Sequence, residues 1–152
     1  MVCMGNICRS PTAHGVLEKR IQEQALEQRI EVDSAGTHGY HVGAAPDQRA
    51  QAHALRRGYA LAHQRARRLQ VRDFSAFDLV LVMDDHNEQA ARALCPPELQ
   101  ARIRRLTDFS VHLPDTAVPD PYYGGEDGFE HVLDLVEDAC NGVVTAVLDT
   151  KK

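Results

Sequence analysis

The sequence predicts an α/β domain, a small four-stranded parallel sheet with helices on both faces. Three observations carry this. "FDLVLVM" at 77–83 is a continuous apolar run, the pattern of a strand covered on both faces. Segments with helical spacing of apolar residues alternate with short extended ones, which gives βαβ units. Right-handed crossovers then distribute the helices over both faces. A chain of 152 residues, 43% hydrophobic and 26% charged, fits one domain over 1–152 with a packed core.

Each element has its own signal. Ser10 suits a helix N-cap and Pro11 the first helical position, where a missing N–H costs nothing. Ala13, Val16, Leu17, Ile21 and Ala25 follow at helical spacing, so the first helix is expected over about 11–27. "RIEVDSAGT" reads as a short strand ending near Ser34, with Gly36 as punctuation. A glycine-rich loop leads into a second helix with Pro46 near its start and Gly58 just past its end. "DDHNEQAARAL" is a third helix closed by Pro96-Pro97, and "RIRRLTDF" holds a fourth strand. The tail "FEHVLDLVEDACNGVVTAVLD" is a long amphipathic helix with Phe129, Val132, Leu133, Val136, Ala139, Val143 and Val147 on its apolar stripe.

Composition narrows the function. A balance of 17 Lys+Arg against 22 Asp+Glu, net −5, argues against nucleic acid as a partner. No stretch approaches the roughly 18 apolar residues of a membrane span, and no basic-then-apolar leader opens the chain. Cysteines 3, 8, 95 and 140 form neither a dense framework nor a C-x2-C pair, so the expected setting is cytoplasmic, with no metal.

The opening "VCMGNICRSP" carries the chemistry. The residues between Cys3 and Arg9 can wrap into a semicircle of inward N–H groups, with Gly5 easing the turn. The helix behind adds its positive dipole end, and Arg9 a planar fork for two phosphate oxygens. A thiol in that field is expected to drop from about 8.5 to roughly 3.5–7.5. The site that holds an anion therefore also prepares a nucleophile, with Ser10 placed to hydrogen-bond it. Displacing an alkoxide or phenoxide needs a general acid. Asp120 in "VPDPYYGG", stiffened by Pro119 and Pro121, is the candidate, with Tyr122 and Tyr123 as walls for an aromatic group. Taken singly these features are bland: C-x5-R arises by chance, and D-P is an ordinary turn. Their conjunction is not.

The chain resembles the low-molecular-weight protein tyrosine phosphatases. "VCMGNICRSP", "DSAGT", "GYHVG" with "PDQRA", "FDLVLVMDDHN", "DPYYGG" and "EDACNG" carry the likeness over nearly the whole length. The resemblance implies a flavodoxin-like strand order and Cys3 as a nucleophile forming phosphocysteine. It implies Arg9 as the phosphate ligand and Asp120 as acid and then base, with no cofactor. Met4, Gly5, Asn6, Ile7, Cys8 and Ser10 would line or shape the loop, and His63 and Asp84 would support it from behind. Tyr40, Tyr122 and Tyr123 would wall the aromatic ring. The implied partners are a phosphotyrosine protein, in bacteria a tyrosine kinase among the expected targets, and inorganic phosphate or a similar oxyanion in the loop. Cys8 is either a disulfide partner guarding Cys3 or a bystander thiol.

Competing readings are arsenate reduction, which needs two further relay cysteines, and phosphoarginine hydrolysis, which Ile7 and the tyrosine pair disfavour. A phosphate-binding module without turnover is the alternative outside enzymology. "RARR" at 65–68 and Arg102, Arg104 and Arg105 read as solvated faces that could steer an acidic phosphopeptide. Relatives carry a longer first strand ahead of the nucleophile. Only Met1 and Val2 precede it here, so a nearly missing first strand and a shortened start are expected.

Overall fold

The computed structural model describes residues 1–114, 117–122 and 124–150. Its strands are β1 (Val2–Cys3), β2 (Ala35–Gly36), β3 (Val80–Val82) and β4 (Ile103–Arg105), all parallel and ordered β2-β1-β3-β4. The helices are α1 (Arg9–Glu23), α2 (Gln48–Arg56), α3 (Asp73–Ala76), α4 (Asp85–Leu94) and α5 (Glu126–Thr150). Side chains alternate across the sheet with the strand's period of two. Cys3, Leu81 and Met83 face a core built with α1 and α5, while Val2, Val80 and Val82 face Phe74 of α3 and Ala91 of α4.

Two boundaries moved for a physical reason. The extended stretch from residue 29 becomes a strand only at Ala35, because β1 offers two residues to pair with, Val2↔Ala35 and Cys3↔Gly36. Helix α1 begins two residues earlier than expected, with Cys8 as N-cap and no side chain closing its first turn. Ser10 lies inside that turn, its hydroxyl directed to Cys3 Sγ and to Ala35 O on β2 instead of capping the helix. The short α3 had no periodic signal to reveal it.

Although β1 is short, it is central and tied on both sides. Ala35 N donates to Met1 O, Thr37 N to Cys3 O and His38 N to Met4 O, while Val2 pairs with Val82. Below it, Val32, Leu79, Val80 and Val147 help line a cavity of about 250 Å³. The Met1 side chain is half-buried, and its N donates to Asp33 O at 3.0 Å.

Candidate active site

Cys3 ends β1 at the carboxyl edge of the sheet, where open α/β sheets place their ligands. The chain then turns through Met4–Cys8 into α1. Asn6 takes a left-handed conformation (φ 57°), which Asn tolerates better than most side chains. Its own amide pins the turn: Nδ2 donates to Ser10 Oγ at 2.7 Å and Ser34 Oγ at 3.0 Å, and Oδ1 accepts from Arg67 N at 3.0 Å. Ser10 Oγ lies 3.0 Å from Cys3 Sγ. With no side chain capping α1, its first N–H groups remain free for an anion.

Arg9 is 3% exposed and fixed at its head. Nη1 donates to Asp84 Oδ2 at 2.5 Å and to Val118 O at 3.0 Å, and Nη2 lies 3.8 Å from Asp120 Oδ2. Asp84 also caps α4 by accepting from Asn87 N at 2.8 Å. Burial alone would raise its pKa; the bonds from Arg9 and Asn87 outweigh it and hold the carboxyl below the usual range. Val118 N donates to Met83 O, which ties the loop carrying Asp120 to the end of β3. Asp120 itself is exposed, with Oδ1 accepting from Tyr122 N at 3.0 Å.

The walls differ in character. Ile7 and Tyr122 pack on Cys8, Ala50 and Phe129, and the Arg49 guanidinium lies over both Tyr122 and Phe129, 5.5 and 4.9 Å from the ring centres. Tyr40 stands 84% exposed on the other side, 4.3 Å from the His38 ring. Met4 is exposed, and Gly5 lies under His38 and His41. Tyr123 lies outside the described residues. Cys3 and Cys8 are both free thiols. Burial, then the charges of Asp47, Cys3 and Asp120, push Cys8 up to about 12.

His63 is not brought to the loop. Its side chain is 52% exposed and pairs with Glu18 at 3.2 Å. The residues behind the loop are Ser34, Gln64 and His14, none of them singled out by motif reasoning. Ser34 Oγ meets His14 Nδ1 at 3.3 Å and Gln64 Oε1 at 3.4 Å, while Gln64 Nε2 donates to Pro11 O at 2.9 Å. His14 in turn lies 3.5 Å from Glu18. Burial lowers the His14 pKa, with Glu18 opposing. Ser34 sits inside the quoted "DSAGT", and Gln64 is one position past His63, so adjacency was the available signal.

The geometry is thus an anion cradle with a thiol at its base, an arginine at its side and a carboxylate opposite. The sequence model of the family described as "Low molecular weight phosphotyrosine protein phosphatase" matches residues 1–152. A "Low molecular weight protein-tyrosine-phosphatase" of Streptomyces coelicolor is 46% identical over 149 residues, covering 96% of this chain and 90% of the relative. A crystal structure of a protein tyrosine phosphatase from Entamoeba histolytica, with Hepes in its active site, superposes with a TM-score of 0.95 at 40% identity, covering 99% of this chain and 96% of that one. A product-state mimic of the Entamoeba phosphatase gives 0.92 at 38% identity over 97% and 93% of the two chains. With the motifs, the sheet order and these likenesses in agreement, the chain belongs to the low molecular weight protein tyrosine phosphatase family, enzymes that hydrolyse protein phosphotyrosine.

Proposed function

We propose that Cys3 is the nucleophile, Arg9 the phosphate ligand and Asp120 the general acid and base of phosphotyrosine hydrolysis. The observation that carries this is a convergence: Ser10 sits on the Cys3 sulfur within one loop, and Asp84 and Asp120, both distant in sequence, meet Arg9. The Cys3 thiolate attacks phosphorus in line with the ester oxygen. The P–O bond to the tyrosyl ring breaks as Asp120 delivers its proton to the leaving oxygen. The resulting phosphocysteine is attacked by water, Asp120 now taking the water's proton. The P–S bond breaks, releasing phosphate and restoring the thiolate. Charge on the equatorial oxygens is met by the loop N–H groups and Arg9, already oriented by Asp84 and Val118 O.

Ser10 and Asn6 hold the thiolate and the turn in place, while Tyr122 and Tyr40 flank the ring. The natural substrate is a phosphotyrosine protein, and a cytoplasmic setting keeps the nucleophile reduced. Hydrolysis of para-nitrophenyl phosphate tests the reading: Cys3→Ser is expected to abolish turnover while inorganic phosphate still binds. Asp120→Ala is expected to lower kcat by about 10²–10⁴-fold on a tyrosyl-like leaving group. A wild-type protein that binds phosphate without turnover establishes the binding-module alternative instead.

A further inference from the structure

The "RARR" stretch divides into two kinds of residue. Arg67 is a strut, its guanidinium held by Asp33 at 3.1 Å and Asp73 at 3.0 Å. Arg65 folds back onto the carbonyls of Ala62 and Gln64. Arg68 does neither. It is exposed, and among the described residues no carboxylate pairs with it. Its backbone bridges to Gly36 at the edge of the sheet, and its side chain runs out along the loop that carries Tyr40, with Cδ 3.7 Å from where a Cβ on Gly39 would lie.

That loop forms one lip of the pocket. The His41 ring comes within 3.0 Å, and the His38 ring within 3.8 Å, of a Cβ built on Gly5 of the phosphate loop. His38 also carries a buried Nδ1 without a hydrogen-bond partner. Moving outward, the lip therefore runs from Gly5 to the two imidazoles and then to Tyr40 and Arg68, and among the described residues no carboxylate pairs with Arg68. The opposite lip is compensated. Arg49 is paired with Asp47 at 3.1 Å, and Asp120 stands nearby. Arg68 thus places a guanidinium with no carboxylate pair on this lip, on a chain whose net charge is −5, while burial and the neighbouring His41 and Arg68 lower the His38 pKa. A peptide threading its phosphotyrosine into the pocket advances about 3.3 Å per residue, so neighbours one to three positions away cross the lip.

We propose that Arg68 makes this lip a reader of Asp or Glu placed one to three residues from the phosphotyrosine. The proposal rests on the phosphatase reading of the same pocket and adds the class of substrate sequence. Arg68 acts on the flanking residue and takes no part in phosphoryl transfer.

Two phosphotyrosine peptides test it, identical except for Asp or Asn at the flanking positions, each scored as kcat/KM relative to para-nitrophenyl phosphate, which has no flank. The Asp peptide is expected to be favoured about fivefold at low ionic strength, the scale of a few exposed charge pairs. The advantage should shrink as salt approaches 0.5 M, roughly where screening shortens to a few ångströms. Arg68→Gln should bring the ratio near one, Arg68→Lys should restore it, and Arg104→Gln on the far sheet edge, an equal change in net charge, should leave it intact. Equal use of both peptides by the wild type, or a preference that survives Arg68→Gln, overturns the proposal and leaves the phosphatase reading standing. Failure on both peptides and on para-nitrophenyl phosphate overturns the two together.

Discussion

A buried arginine is only as well aimed as the groups that hold it, and Arg9 shows this at the scale of single residues. Asp84 secures it and caps α4 with the same carboxylate, so one side chain couples a helix start to the Arg9 guanidinium. Asp84→Asn keeps shape but removes the charge pair. It is expected to lower kcat/KM on para-nitrophenyl phosphate by roughly 10²-fold, the effect of an ångström-scale loss of aim; unchanged kinetics would remove Asp84 from the machinery. Cys8, pushed up to about 12, carries almost no thiolate at pH 7. Iodoacetate at that pH should leave Cys8 unlabelled in a peptide map, and its ready labelling would contradict the burial argument. Cys3, Arg9 and Asp120 stood out as candidates in the sequence because their residue types and spacing already imply a reaction. Ser34, Gln64 and His14 were not. A serine, a glutamine and a histidine carry no signal until folding brings them to one hydroxyl behind Asn6.

At the scale of elements, β1 explains most departures from expectation. Two residues of ladder on β1 leave only Ala35 and Gly36 of the second extended stretch paired as a strand. Beside β1, β2 approaches the phosphate loop as only glycine can. A Cβ on Gly36 would lie 2.8 Å from Met4 O and 3.1 Å from Gly5 C, both backbone atoms. Gly36→Ala should displace the loop, costing about 1–3 kcal/mol in stability and lowering kcat with it. Thermal unfolding and steady-state kinetics on one sample check both.

Across the whole molecule, α5 is the longest helix among the described residues and the one that closes the fold. It packs along α1 on one face of the sheet, and its Asp138 accepts the N–H groups of 111–113, fastening the segment that leads toward the Asp120 loop. Gly142 lets α5 pass directly over Phe109, whose carbonyl would clash with any Cβ there. Gly142→Ala should lower Tm, by about 1–3 kcal/mol of overpacking, while KM for an aryl phosphate changes little, since the crossing is remote from the pocket. A large KM change would mean that α5 transmits its position to the loop.

By itself the sequence determined the main element types, the strand order through resemblance, and the candidate reacting groups, because period, apolar runs and nucleophile chemistry are local properties. Helix α5 was readable for that reason, its stripe recurring without reference to any partner. Tertiary structure alone decided where β2 begins, which side chains brace the loop after Cys3, and which arginines of "RARR" are tied down inside the fold. Each depends on a pairing between segments far apart in the chain: Ala35 with Val2, Ser34 with Asn6, Arg67 with Asp33 and Asp73. Local pattern cannot encode such pairings, since their energies exist only once the chain has closed on itself.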